Sequence, residues 1–155
     1  MTAFRVASAG RLDAGRTARF TFDGRALEGL QGDTLASALL ANGVHLVGRS
    51  FKYHRPRGFL SAGAEEPNAL VGIHRDLARR TPNVRATVQE LYDGLQAVSQ
   101  NRWPSLAFDV GAVNDLASPF FSAGFYYKTF MWPKAAWKHL YEPRIRAAAG
   151  LGVAP

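Results

Sequence analysis

The chain contains no cysteine. That single absence excludes disulfides, thiolate nucleophiles, thiolate zinc sites and all-thiolate iron–sulfur clusters. No apolar run approaches the ~20 residues that span a bilayer, so no transmembrane helix is predicted. Acidic side chains are scarce: 12 Asp and Glu face 19 Lys and Arg, a formal charge of +7 and a pI near 10.2. Such a balance suits phosphate, nucleic acid, an anionic membrane or an acidic partner chain, and selects none of them. An excess of solvated Arg, or a basic face neutralised by another subunit, is the preferred account. The opening stretch, residues 1–16 (MTAFRVASAGRLDAGR), has arginines but no apolar h-region, so a secretory signal is not expected. It reads as a leader, and the expected location is cytoplasmic.

What is present describes a globular domain. Apolar residues make up 47% of 155 and charged residues 20%, enough for one real core and a small second lobe. Thr17 to Phe22 alternates polar and apolar side chains as a half-buried strand does. Asp23-Gly24 suits a type I′ turn, and Arg25 to Leu30 returns as a second strand. Asp33 or Thr34 opens a helix whose Leu35, Ala38 and Leu39 share a face, and Asn42-Gly43 ends it. Val44 to Val47 reads as a buried strand. Ala69 to His74, Asn83 to Val88 and Leu95 to Ser99 are further strands, with an Arg-rich turn at Arg75, Arg79 and Arg80.

Between them, residues 48–68 form a long loop holding three Gly, two Pro and five basic side chains. Loops of this length inside a compact domain are usually functional or the remains of something functional. From Asn101 the character changes, with eleven of the eighteen aromatics between Trp103 and Tyr141. Only Pro133 to Ala148 is clearly helical there, with Trp137, Leu140, Tyr141 and Ile145 on one face. Aromatic density of this kind, without regular structure to bury it, predicts docking onto another surface.

Candidate sites are few. Arg49, Lys52, Arg55 and Arg57, with His54 among them, could hold a flavin or dinucleotide phosphate through bidentate contacts. Pairing with acids of neighbouring domains, or with Glu65 and Glu66, is the favoured alternative. His45, His54, His74 and His139 are scattered without ligand spacing, so no metal site is expected. No Ser sits in a nucleophile elbow, and Gly150-Leu-Gly152 lacks the strand and third Gly of a dinucleotide fingerprint. No catalytic residue is therefore assigned. Basic and aromatic residues alternate in YYKTFMWPKAAWKH, a pattern that could stack bases, but a helix packing its aromatics inward is commoner.

The order hairpin, helix, strand, long Gly-containing loop, strand fits a β-grasp sheet, an α+β class. In that fold the long loop is where plant-type ferredoxins hold a [2Fe–2S] cluster by C-x₄-C-x₂-C and a distant fourth cysteine. The segment GDTLASALLANGVHLVGRSFKYHRPRGFLSAGAEEPNALV is very similar to the amino-terminal region of heterotetrameric sarcosine oxidase alpha subunits. The similarity continues through NVRATVQELYDGLQAVSQNRWPSLAFDVGAVNDL and FYYKTFMWP. Related domains of amino-acid dehydrogenases and hydrogen cyanide synthase carry the cluster. Laying their loop on Gly58 to Val71 puts Ser61, Glu66 and Ala69 at three ligand positions, and Thr87 at the fourth. Ala69 offers no donor atom, and oxygen suits this chemistry poorly, so the resemblance implies a ferredoxin-like domain without its cluster.

The resemblance also implies division and context. Residues 1–16 are expected as a leader, 17–100 as the ferredoxin-like domain, and 101–155 as an extension toward a dinucleotide-binding domain outside this chain. The implied complex oxidises sarcosine to glycine, makes hydrogen peroxide and passes a one-carbon unit to tetrahydrofolate. Its implied cofactors are FAD, FMN, NAD and tetrahydrofolate, with none in this segment. Implied partners are the remaining alpha-subunit domains and the beta, gamma and delta subunits, with no nucleic acid and no membrane. Two alternatives stay open: a cluster-less domain of a related flavin-dependent amino-acid dehydrogenase, and a small basic nucleic-acid-binding domain.

Overall fold

Residues 4–6, 12, 15–76, 79–120 and 132–148 are described by a computed structural model of the chain. The alternating stretch Thr17–Phe22 forms strand β1, and Arg25–Leu30 forms β2, paired antiparallel with Phe22 opposite Arg25. Asp23 and Gly24 make the turn at φ 49° and 80°, the left-handed pair that matches the twist of a two-residue hairpin. The Asp23 carboxylate also reaches Ser99, accepting from its backbone N–H at 2.8 Å and its hydroxyl at 2.6 Å. A residue chosen for a turn thus fastens the far end of the domain.

Helix α1 spans Leu35–Ala41. Thr34 caps it, its hydroxyl oxygen accepting from the Ser37 N–H at 3.2 Å and satisfying a first-turn donor that has no partner within the helix. Asp33 is buried beside the cap and accepts from the Leu30 N–H and the Ser37 hydroxyl, both at 2.8 Å. Both terminal nitrogens of Arg5 donate to the same carboxylate. Arg5 therefore lies against the rest of the chain, and Phe4 meets the His45 ring edge-on at 5.4 Å.

The expected strand at Val44–Val47 is not there. Val47 is fully buried, but pairing starts one residue later, where β3 (Gly48–Arg49) and β4 (Pro56–Arg57) form a separate two-stranded ribbon. The turn between them fixes that register: Ser50 O accepts from the His54 N–H at 2.9 Å, and His54 takes φ 53°. The long loop 48–68 is thus interrupted by this ribbon and by a 3₁₀ turn at Gly63–Glu65.

Strands β5 (Leu70–His74), β6 (Arg80–Arg85) and β7 (Leu95–Ser99) complete a five-stranded sheet in the order β2-β1-β7-β5-β6. β7 runs parallel to β1 and antiparallel to β5. A mixed sheet crossed by one helix is the β-grasp arrangement predicted from the sequence. β6 starts three residues before the expected Asn83 and ends at Arg85. It is an edge strand, where Pro82, lacking an N–H, is tolerated. Leu35, Ala38 and Leu39 join Phe20, Leu27, Val71, Ile73 and Leu95 in one core cluster. Each fully buried Leu contributes about 1.5–3 kcal/mol.

After β7 the described chain makes 3₁₀ turns at Val110–Asp115 and Ser118–Phe120. The predicted helix at 133–148 is a short helix at Lys134–Ala136, a π-helical turn at Trp137–Tyr141 and a helix at Glu142–Ala148. Trp137, Tyr141 and Ile145 are half-buried and Leu140 is exposed. Most of the FYYKTFMWP segment, most of the leader and the closing residues 149–155 lie outside the described residues. Among the described residues, no helix is long and apolar enough to cross a membrane.

Candidate functional site

Two neighbouring features carry the sequence-assigned residues: the loop from Gly58 to Ala69, and the basic ribbon before it. In the first, the chain folds around one of its own carboxylates. Glu66 is fully buried. One carboxylate oxygen accepts from the backbone N–H groups of Leu60 and Ser61, each at 2.7 Å. The other accepts from Asn68 at 2.7 Å and Ala69 at 3.1 Å. Burial pushes the Glu66 carboxyl up, but the N–H donors of Ser61, Asn68, Leu60 and Ala69 together outweigh it and hold it below the ordinary carboxylate range. Thr87 reaches the same loop from beyond β6, its hydroxyl donating to Gly63 O at 2.6 Å.

Ser61, Glu66, Ala69 and Thr87, the positions that the resemblance led one to expect at the cluster, are thus gathered around one loop. Ser61 and Ala69 contribute backbone N–H groups, Glu66 the carboxylate, and Thr87 a tether. They do not fit a [2Fe–2S] cluster. Ala69 has no donor atom, the Thr87 hydroxyl proton is spent on a carbonyl, and the Glu66 oxygens are committed to four backbone donors. Among the described residues, no group of three or more His, Asp or Glu could hold a metal ion.

The basic ribbon is built differently from its sequence reading. Arg49 is nearly buried, its side chain 10% exposed. Its guanidinium donates twice to Leu106 O, at 3.1 and 2.9 Å, and once to His54 O at 2.9 Å. It also lies 3.5 Å from the carboxylate of Asp109, whose side chain is wholly buried. The other close partner of Asp109 is His54, with Nδ1 at 2.7 Å; an ionised carboxylate only accepts, so Nδ1 carries the proton. The second Asp109 oxygen takes the N–H groups of Trp103 at 2.8 Å and Gly111 at 3.2 Å. Burial raises the Asp109 carboxyl, and the Trp103 donor, His54 and Gly111 more than reverse it, so it too stays below the usual range. Gly111 leaves room for the ring: a Cβ there would stand 2.3 Å from His54.

Arg55 pairs with Asp115 at 2.7 Å, and its guanidinium lies 4.8 Å from the Tyr53 ring centre, with Lys52 Nζ at 4.9 Å from the same ring. Arg57 donates to the Asn68 side-chain oxygen at 2.7 Å. A groove of about 390 Å³ opens beside Arg57, bordered by Phe51, Asn68, Asn83 and Gln100. The four basic residues therefore do not converge on one point. Counter-charges were expected on other domains or at Glu65 and Glu66; Asp109 and Asp115, over fifty positions downstream, supply two of them. Asp109 had one readable signal, an Asp two residues before a Gly, which is the Asx-turn pattern. Nothing local announces its pairing with His54.

Residues 15–102 match the family model described as 2Fe-2S iron-sulfur cluster binding domain. Over 154 residues, 99% of its length, the chain is 67% identical to the sarcosine oxidase subunit alpha of Rhizobium meliloti (strain 1021). It is 54% identical over 65 residues, 42% of the chain, to that of Corynebacterium sp. (strain P-1). The chain spans only 16% and 7% of the lengths of these two relatives. Among solved structures, L-proline dehydrogenase from P. horikoshii superposes with a TM-score of 0.51 at 21% identity, over 66% of this chain and 18% of that one. That likeness speaks for the fold alone.

Proposed function

The chain belongs to the 2Fe-2S iron-sulfur cluster binding domain family, and from that premise we propose that it is a cluster-free, non-catalytic structural domain of a sarcosine oxidase alpha subunit. The observation that carries this reading is the 67% identity over nearly the whole chain to a subunit of that name. In this proposal residues 17–100 are the ferredoxin-like platform, preceded by a leader at 1–16. Residues 101–155 are an extension toward a dinucleotide-binding domain. Oxidation of sarcosine to glycine, peroxide formation and one-carbon transfer to tetrahydrofolate belong to the rest of a cytoplasmic complex. FAD, FMN, NAD and tetrahydrofolate are held there, on the other alpha-subunit domains and the beta, gamma and delta subunits.

The extension supports a docking role. Trp103, Phe108, Val113, Leu116 and Phe120 are all exposed, Leu116 and Phe120 by more than 80%. Apolar surface concentrated in this way marks interaction sites. The basic ribbon, with Arg55 exposed, Lys52 and Arg57 half-buried and Arg49 nearly buried, is proposed to face an anionic surface, either a neighbouring domain or a cofactor phosphate. The nucleic-acid alternative is less favoured, because Arg49 and Arg55 already hold acceptors within the chain.

The test is made in the complete alpha subunit co-expressed with its partner subunits. Phe108→Ser with Leu116→Ser should reduce assembly measured by size-exclusion chromatography. Arg55→Glu with Arg57→Glu separates the two uses of the ribbon. Lost assembly assigns it to an interface, and lost flavin with intact assembly assigns it to a cofactor. Normal assembly, flavin content and turnover in both double variants would refute the proposal.

A further inference from the structure

Four backbone N–H groups of the 58–69 loop, those of Leu60, Ser61, Asn68 and Ala69, point at one spot, and the chain fills it with Glu66. The arrangement is unusual in its charge. The carboxylate is fully buried, and among the described residues no cation pairs with it. A lone buried carboxylate is strongly unfavourable unless hydrogen bonds replace its water. The four converging N–H groups, that of Ala69 buried and the other three partly so, are in turn unfavourable without an acceptor. Each requirement is met only by the other. The loop has no regular structure of its own beyond one 3₁₀ turn, so this contact, with the Thr87 tether to Gly63 O and the Arg57 bond to Asn68, closes it.

An iron–sulfur cluster offers such a loop the same thing in inorganic form, since its sulfurs carry negative charge and accept N–H hydrogen bonds. We infer that the 58–69 loop is an anion site of carboxylate class whose resident ligand is the Glu66 side chain, standing where the family's cluster stands as the acceptor around which the loop closes. What Glu66 replaces rests on the family reading; the site itself rests on the four donors and the buried carboxylate. On this account the domain lost electron transfer without losing the shape of its cluster loop. Leu60, 71% exposed at the loop's tip, stays presented to a partner.

Amide hydrogen exchange on the full 155-residue chain tests the inference. In the unmodified chain the amides of Leu60, Ser61, Asn68 and Ala69 should be protected together, and well above those of Ala62 and Gly63. Glu66→Gln keeps the shape but turns an amide N–H₂ toward two of the donors, so exchange at the four positions should rise on the order of 100-fold. Glu66→Ala should behave likewise in sodium chloride, and sodium formate at equal ionic strength should restore protection by occupying the vacated place. The inference is overturned if the four amides of the unmodified chain exchange as fast as Ala62 and Gly63. It is equally overturned if Glu66→Gln leaves them within about twofold of the unmodified chain, or if formate does no more than chloride. Should Glu66→Ala fold in neither salt, the unmodified chain and Glu66→Gln still decide. Subunit assembly is read by the separate experiment above and can fail while these amides stay protected, so the two readings fail independently.

Discussion

Replacing Asp109 by Asn alters one atom of a side chain that joins the basic ribbon to the segment after β7. The Asn carbonyl can still accept from Trp103 and Gly111, so both bonds survive without charge assistance. The difference between a neutral acceptor at about 0.5–1.5 kcal/mol and a charged one at about 1.5–3 is about 1 kcal/mol per bond. On the other side, the new amide faces the His54 ring nitrogen and the Arg49 guanidinium. Breaking a buried pair costs about 3–5 kcal/mol, but the Arg49 side chain is 10% exposed and keeps Leu106 O and His54 O, which brings its share down to about 1 kcal/mol. His54 can take its other tautomer and accept from the new amide, so the two weakened bonds and the Arg49 share set the expected total at about 3 kcal/mol, a large part of the ~5–15 kcal/mol available to a domain. It should lower Tm by about 6–12 °C at this chain length. Urea unfolding at pH 7 should show a lower midpoint with an unchanged slope, and the Trp103 and Gly111 amides should lose protection first. A loss below about 1 kcal/mol with those amides unaffected would falsify the claim that Asp109 is the anchor of this latch.

Three further outcomes follow from the same geometry. Gly111→Ala places a Cβ against the His54 ring and should destabilise the chain by about 1–3 kcal/mol; in a His54→Ala background most of that penalty should vanish, and equal penalties in both backgrounds would exclude the clash as its cause. Asp109 and Glu66 both have lowered folded-state pKa values, so their stabilisation is complete above the unfolded values near pH 4 and is lost as pH falls through the folded ones. Acid titration by circular dichroism should therefore show a loss that starts below about pH 4 and is shallower in Glu66→Gln; no difference in slope counts against the assignment. Arg5→Ala strips the cation from buried Asp33, which among the described residues keeps only Leu30 and Ser37 as donors; a loss of about 2 kcal/mol is expected in denaturant unfolding, and no change would show that residues 4–6 are not docked in solution.

The parts of the fold legible in the sequence were those whose causes are local. The Asp23-Gly24 turn, the Thr34 cap and the alternation of Thr17 to Phe22 each name their structure within a few residues. β6 was misplaced because Arg80, Thr81 and Pro82 carry no apolar signal; they are strand only because β5 offers an edge beside them. Val44 to Val47 misled for the opposite reason, since its apolar residues look like a strand although only Val47 is buried and His45 is exposed. The site divides the same way. The basic residues and the cysteine-free positions could be read from spacing and resemblance. Their partners could not: Asp109 for His54, Asp115 for Arg55, and four backbone N–H groups for Glu66 are all products of the folded chain.

The pairing of β1 with β7 bears on how the domain comes off the ribosome. The hairpin and α1 are made first, but the strand that lies beside β1 is the last of the sheet to be synthesised. Until Ser99 has emerged, β1 presents an open edge and α1 has only part of its core to cover, and such exposure invites association with other nascent chains. Closure also joins positions far apart in sequence, which slows folding relative to local topologies. Asp23 shortens the hazard, because the same hairpin turn that forms early holds the carboxylate that captures Ser99 when it arrives.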